Sequence, residues 1–362
     1  MASDASPSPV PLTMKDVARA AGVHQTTVSR ALRHDPRITE SVKMQIREVA
    51  GRLGYRPNPL LSALGTMRRQ RALARYQTAI AYVLKGGASG GHLSGVRAAA
   101  EQRGFKVDVL EIGPDLSESR LNQILIARGI HGVILAPLPE AHGHFALDWE
   151  RFSTVVIEYS FTEPAFDRVV TNSYDTMNTV IRVCRGRGYK RLGVALPQVV
   201  DDRNEGLLCA AYALAEQRDP EMAPLAPLLI PRWDAKTFRS WFRREKPDVV
   251  ISSNFLLPQI EEILGELRLR VPDQIGLVNL NLLPDQQHYS GVCQDAPAIG
   301  AMAARLVIEK LSHNDRGIPT SRVTMLTDGH WIEGRTLLKA VSPKRSRRRP
   351  QATVSARSHK PG

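Results

Sequence analysis

Thr13-Met14-Lys15-Asp16-Val17-Ala18-Arg19-Ala20-Ala21-Gly22-Val23-His24-Gln25-Thr26-Thr27-Val28-Ser29-Arg30-Ala31-Leu32 decides the reading of this chain. Thr13 with Asp16 three residues later is a variant of the capping box, so a helix begins there. Val17 and Ala21 share one face at i, i+4. Gly22 permits the left-handed residue that ends a helix and turns the chain. A second helix, from about Gln25 to Leu32, carries Val28, Ala31 and Leu32 inward. It leaves Gln25, Thr26, Ser29 and Arg30 facing outward. Two short helices joined by a tight glycine-containing turn form a helix-turn-helix, whose second helix enters the DNA major groove. The outward set donates and accepts hydrogen bonds, and Arg30 can bond guanine in a bidentate way. Any small helical hairpin with a polar face gives the same pattern, so the residues that follow must separate the two readings.

Thr39 can cap a third helix, in which Val42, Ile46, Val49 and Leu53 form a sustained apolar stripe that Gly54 stops. Then comes Tyr55-Arg56-Pro57-Asn58-Pro59-Leu60-Leu61-Ser62-Ala63-Leu64-Gly65. Asn58 is a good N-cap, Pro59 suits the first helical position and Gly65 suits the stop. The helix between them has under two turns and needs a partner to form, because nucleation is unfavourable.

On these residues, Thr13 to Leu64 resembles the DNA-binding headpiece and hinge helix of the lactose-repressor/galactose-repressor (LacI/GalR) family of bacterial transcription regulators. The resemblance rests on Asp16-Val17-Ala18 with Ala21-Gly22-Val23, on Thr27-Val28-Ser29-Arg30-Ala31-Leu32, and on Leu53-Gly54-Tyr55-Arg56-Pro57-Asn58. The family usually carries Ser at the capping place where this chain has His24, which predicts a weaker cap here. The resemblance implies a DNA-contacting set of Thr13, Gln25, Thr26, Thr27, Ser29, Arg30, Arg37, Asn58 and Leu64. Within it, Gln25, Thr26 and Arg30 read base edges, while Thr27 and Ser29 hold phosphates. Leu64 would be the wedge that opens the minor groove at the operator centre.

The chain has 362 residues, enough for two or three domains with real cores. No apolar window approaches a membrane span, and Met1 to Leu12 lacks the features of a secretory signal. Cys184, Cys209 and Cys293 are odd in number and widely spaced, with neither metal nor disulfide spacing, which suits a reducing cytoplasm. The net charge of +13 is uneven. Residues 1–75 hold 13 Lys/Arg against 5 Asp/Glu, and residues 343–362 hold 7 Lys/Arg and no acid, leaving the long middle at −2. Basic charge at both ends fits polyanion binding there. Arg68, Arg69, Arg71 and Arg75 read as a linker or helix extension within reach of phosphates, and the tail reads as disordered.

From Tyr76 short apolar runs alternate with amphipathic helical stretches: Ala79–Leu84 then Leu93–Arg103, Lys106–Leu110 then Leu116–Ala127, Leu192–Leu196 then Asn204–Gln217, Val249–Ser252 then Pro258–Leu267. That alternation predicts parallel sheets covered by helices on both faces. Two such units in succession, with a break near Tyr159–Arg168, predict two similar lobes with a cleft between them. The resembled family has this architecture, a bilobal domain like the periplasmic sugar-binding proteins. One catalytic signature stands out: Gly87-Ala88-Ser89-Gly90-Gly91 fits G-x-S-x-G after a strand and before a helix, with Asp328 and His330 downstream. So glycine-rich a stretch matches by chance easily. Ligands in such sheets bind at strand carboxyl ends, which makes Ser89 a ligand donor in preference to a nucleophile.

The resemblance also implies a small-molecule effector site of Ser89, Asn172, Arg203, Trp233, Asn254 and Asn279. Trp233 falls where the family places an aromatic that stacks on a sugar or base, and a structural Trp is the alternative. Asn279 stands where the family commonly has an Asp, so a carboxylate that would accept from sugar hydroxyls is absent. A solute-binding transport protein is the rival from another class, opposed by the headpiece and the missing export signal. The expected organisation is a disordered arm (1–12), an all-α headpiece (13–57), hinge helix and linker (58–75), an α/β bilobal effector and dimerisation domain (76–341) and a basic tail (342–362). The expected molecule is a cytoplasmic homodimeric repressor of a pseudo-palindromic operator, with no enzyme activity, cofactor, metal or membrane partner. Pro297 to Leu311 is an amphipathic helix that serves either the dimer face or the core.

Overall fold

The structure is a computed structural model that describes residues 13–32, 35, 37–55, 78–86 and 91–339. The arm, Asn58, Leu64, the linker arginines, Ser89 and the tail lie outside the described residues.

Three helices form the headpiece: α1 Met14–Ala21, α2 Gln25–Leu32 and α3 Glu40–Leu53. Helix α1 starts where the Asp16 carboxylate accepts from both the Thr13 N–H (2.9 Å) and the Thr13 hydroxyl (2.7 Å). That carboxylate is held below its usual range, chiefly by the Thr13 hydroxyl. Gly22 ends the helix at φ 67°, a conformation that costs a side chain with Cβ about 1–2 kcal/mol. The three helices close on Val17, Val28, Ala31 and Ile46, none of which reaches solvent. Val42, Leu53 and Tyr55 pack around that core. Each fully buried Val or Ile contributes roughly 1.5–3 kcal/mol, enough together to hold so small a unit.

The rest of the chain builds two six-stranded sheets. The first contains β1 Ala79–Lys85, β2 Lys106–Ile112, β3 Gly132–Leu135, β5 Ser153–Ile157, β7 Asp167–Thr171 and β13 Thr324–Thr327, in the order β13-β7-β5-β3-β1-β2, all parallel. Beside it β4 Gly143–His144 and β6 Phe161–Glu163 form a small ribbon. The second sheet contains β8 Leu192–Pro197, β9 Leu228–Ile230, β10 Val249–Ser252, β11 Gly276–Asn279, β12 Ser290–Cys293 and β14 His330–Ile332, in the order β14-β12-β11-β10-β8-β9, with only β14 antiparallel. Alternation along β1 shows why both faces are covered. Ile80, Tyr82 and Leu84 join the core under α4 His92–Glu101, while Ala81 and Val83 join the core under α5 Glu118–Ala127. The second sheet is covered by α6 Ser173–Gly186 and α8 Leu207–Arg218 on one face, and by α9 Ala235–Glu245 and α10 Leu257–Glu266 on the other. A short α7 Gln198–Asp202 precedes α8, where the sequence predicts one helix from Asn204.

The break between lobes differs from the expected one. Tyr159–Arg168 does not leave the first sheet, because β7 still pairs with β5 there. The chain crosses at Asn172, where α6 begins and packs on the second sheet. It crosses back between β12 and α11 Ala296–His313, and a third time between β13 and β14. The three crossings are tied together. The Asn172 N–H donates to the Thr327 carbonyl (2.9 Å), the Asn172 amide donates to Asp328 (2.8 Å), and the Thr171 hydroxyl oxygen lies 3.3 Å from the Gln294 side-chain oxygen. Helix α11 belongs to the core of the first lobe, with Ile299, Ala303, Ala304 and Val307 buried against the sheet and α4. It lies so close to α4 that a Cβ on Gly95 would sit 1.7 Å from the Pro297 carbonyl oxygen, and one on Gly300 would sit 2.0 Å from that of His92.

Candidate functional site

Two surfaces carry the expected chemistry. On the headpiece, α2 begins at His24, whose carbonyl accepts from Thr27 (2.8 Å) and Val28 (3.3 Å). The His24 imidazole provides the cap that the expected Ser would have given. Its Nδ1 accepts from the Thr26 N–H at 3.4 Å and lies 2.9 Å from the Thr26 hydroxyl. An Nδ1 that accepts leaves the proton on Nε2, which makes the outer edge of the ring a donor. Gln25, Thr26 and Arg30 are exposed and Thr27 and Ser29 half-buried, over the buried Val28 and Ala31. Polar, exposed groups on one face of a helix anchored from behind are what groove reading requires. Thr13 and Arg37, both exposed, are occupied within the headpiece. The Thr13 hydroxyl donates to Asp16 (2.7 Å). Arg37 forks onto Asp35, Nε donating at 2.9 Å and a terminal nitrogen at 2.6 Å, and this holds the Asp35 carboxyl well below its usual range.

The second surface lies where the carboxyl ends of the two sheets converge. Glu158 follows β5, Glu140 follows β3, and Arg203 comes from the other lobe at the end of α7. Burial pulls Arg203 below its ordinary pKa, and the charges of Glu158 and Glu140 oppose that shift. Among the described residues Arg203 Nε is buried with no hydrogen-bond partner, as are the Asn254 side-chain oxygen and the Ser253 hydroxyl. Asn254 is 9% exposed. Register places it beside Pro197, because β10 pairs with β8 through Val249↔Leu192 and Ile251↔Val194. Buried polar atoms are normally satisfied, and these three open ones all follow β8 and β10, neighbouring strands of the second sheet, on the carboxyl side where such sheets take ligands.

The remaining expected residues are otherwise engaged. The Asn172 oxygen caps α6 by accepting from Asp175 (3.1 Å), and its amide goes to Asp328. Asn279 is fully buried; its oxygen accepts from Asn281 (2.9 Å) and its amide donates to Gln286 (3.1 Å). Both shape loops and have little left for a ligand. Trp233 is half-buried, 5.7 Å from the Phe238 ring, which fits a wall of the core. Glu158 is the residue the sequence reading misses. It stands at φ 63°, a strained place for a side chain, and accepts from the Thr171 N–H (3.1 Å) and hydroxyl (2.8 Å), with His92 Nε2 at 3.9 Å. An acid directly after the apolar run Val155-Val156-Ile157 is the signal that points to it. Arg168 and Glu205 also escape that reading. The buried Arg168 on β7 donates to both oxygens of Glu205 from the second lobe (2.6 and 3.1 Å) and lies 4.5 Å over the Tyr159 ring.

Other chemistries find little support. Asp328 accepts from Asn172 instead of orienting a histidine, and no Asp328–His330 hydrogen bond occurs among the described residues. Burial pushes the Cys184 and Cys209 thiols up to about 12, which keeps them protonated and poor nucleophiles. Among the described residues no three His, Cys, Asp or Glu side chains gather as a metal site, and no helix is long and apolar enough to cross a membrane.

Residues 13–58 match the family model for bacterial regulatory proteins of the lacI family. The HTH-type transcriptional regulator PtxS of Pseudomonas plecoglossicida is 26% identical over 181 residues, 49% of this chain. The match covers 52% of that relative, so the chain spans about half its length. The HTH-type transcriptional regulator KdgR of Bacillus subtilis (strain 168) is 21% identical over 85% of this chain and 93% of its own length. Among solved structures, the lac repressor dimer bound to operator and the anti-inducer ONPF superposes with a TM-score of 0.55 at 18% identity, covering 91% of this chain and all of that one. That likeness is one of fold, and it extends over the headpiece and both lobes. The chain thus carries a headpiece like that of the lacI-family regulatory proteins, on a fold like that of the lac repressor.

Proposed function

We propose that this protein is a sequence-specific DNA-binding transcriptional regulator, a repressor, whose operator binding responds to a small molecule in the interlobe cleft. The observation that carries the reading is the face of α2: Gln25, Thr26 and Arg30 exposed over a core of Val28 and Ala31. A single headpiece reads a short half-site, so specific binding calls for a homodimer on a pseudo-palindromic operator, acting in the cytoplasm. The cleft supplies the second input. An effector that binds between the lobes prefers one lobe arrangement, and a change in that arrangement alters the spacing of the two headpieces. The hinge helix proposed at Asn58 to Leu64 would transmit it, with paired Leu64 wedges at the operator centre. Catalysis is not part of the reading, and Ser89 is proposed as a ligand donor and not a nucleophile.

Selection of bound duplexes from a random pool tests the proposal. The expected product is a pseudo-palindrome bound by two chains, and enrichment of no sequence overturns it. A fluorophosphonate probe tests the other class: stoichiometric labelling that disappears in Ser89→Ala would make the chain a serine hydrolase.

A further inference from the structure

The polar groups of the cleft divide into those already paired and those left open. Glu158 receives the Thr171 N–H and hydroxyl and sits beside His92. Glu140 is paired with Lys85 at 3.2 Å. Asn279 spends both ends of its amide on Asn281 and Gln286. What remains is a cation, an acceptor and the Ser253 hydroxyl. Arg203 reaches the cleft with its Nε buried and unpartnered, and the Asn254 oxygen is buried and unpartnered at the neighbouring strand end.

Glu158 and Glu140 act on Arg203 through their charge, yet nothing accepts from its Nε. Leaving a partly desolvated guanidinium with that donor open is costly, and the cost falls most when a carboxylate joins it side-on through Nε and a terminal nitrogen. A neutral hydroxyl would satisfy the hydrogen bond and leave the charge. The two nearby acids do not fill that role, because each is held by partners of its own. The position where an acid would take up the hydroxyl protons of a neutral sugar holds Asn279, whose acceptor is used. Resting on the effector reading above, we propose that the ligand of this cleft is a small hydroxy acid: its carboxylate sits on Arg203 and one hydroxyl donates to the Asn254 oxygen.

Matched pairs of probes separate charge from shape. The full-length chain is melted with D-gluconate against sorbitol, and with D-glucuronate against D-glucose, at equal ionic strength. Binding to a selected operator is followed by fluorescence anisotropy in the same solutions. The expected result is that at least one acid raises Tm and shifts operator affinity while its neutral partner does neither. Arg203→Gln is expected to weaken the acid at least tenfold, and Arg203→Lys to restore part of the loss. Without ligand, Arg203→Gln should melt no lower than the parent, because it removes a half-buried cation whose Nε has no acceptor. Equal effects of acid and neutral probe, no response to either acid, an unchanged affinity in Arg203→Gln, or a lower ligand-free Tm each overturn the proposal. Failure to bind any operator would bring down the regulator reading itself. Operator release by the neutral probes would leave that reading standing and remove only the carboxylate.

Discussion

The imidazole Nδ1 of His24 lies 2.9 Å from the hydroxyl of Thr26, so the recognition helix is capped by an aromatic ring where a small hydroxyl side chain is expected. The ring also accepts from the Thr26 backbone N–H at 3.4 Å, a long bond that gives a weaker cap than a Ser oxygen. His24→Ala should therefore cost about 1 kcal/mol of headpiece stability, at the lower part of the range for lost caps, and His24→Ser should recover it. Urea denaturation followed by headpiece circular dichroism reads the difference. Equal midpoints for the parent and His24→Ala would mean that the ring caps nothing.

Along the same helix, base reading and phosphate holding come apart by position. Arg30 is exposed, whereas Thr27 is half-buried with its N–H bonded to the His24 carbonyl. Arg30→Ala should lose about 1–3 kcal/mol on the selected operator and relax base preference at one position of each half-site. Thr27→Ala should weaken all duplexes by a similar factor. Repeating the selection with each variant checks both statements, and an unchanged consensus for Arg30→Ala would remove it from the reading set.

The headpiece is legible in the sequence because each of its boundaries is a local decision. Thr13 with Asp16, Gly22, Thr39 and Gly54 act within one helical turn, and the helices fall where those residues put them. The lobe crossing is not local. Whether β7 closes the first sheet or opens the second depends on pairing with β5 and with β13, and Arg168 bonds Thr324 across 156 residues of sequence. The cleft is intermediate. The family resemblance brings Arg203 and Asn254 into view, yet only the hydrogen bonds show that Asn172 and Asn279 are spent and that Asn254 is open.

Glycine substitutions should split by what a Cβ would meet. On Gly300 it would enter the His92 carbonyl oxygen at 2.0 Å, which is backbone and cannot swing aside. On Gly51, exposed in α3, it would meet nothing within 4 Å. Gly300→Ala should destabilise the first lobe by about 1–3 kcal/mol through overpacking. Gly51→Ala should stabilise the headpiece by roughly 0.5–1 kcal/mol through helix propensity. Thermal melts of both variants are the check, and opposite signs are the expected outcome.

The bridge between Arg168 and Glu205 joins the lobes and sets a pH dependence. Arg168 is buried, whereas the Glu205 side chain is 35% exposed, so the pair is worth less than a fully buried one. Hydrogen bonds from Arg168 hold the Glu205 carboxyl below its ordinary value of 4.5. A carboxylate with a depressed folded pKa stabilises the fold above its unfolded value and loses that contribution as pH falls through the folded value. Glu205→Gln leaves Arg168 with the Thr324 hydroxyl (3.2 Å) and the Tyr159 ring, so its charge stays buried without an anion. The loss near neutral pH should be about 1–3 kcal/mol, allowing for the exposure of Glu205. The gap between the parent and Glu205→Gln should narrow as pH drops below about 4.5, because the parent then loses the same charge. Because the bridge spans the cleft, the variant should also shift the lobe equilibrium and with it the response to ligand. Denaturation midpoints of both proteins from pH 7 to pH 3 test the sign, and a gap that stays constant over that range would show that the bridge does not form in solution.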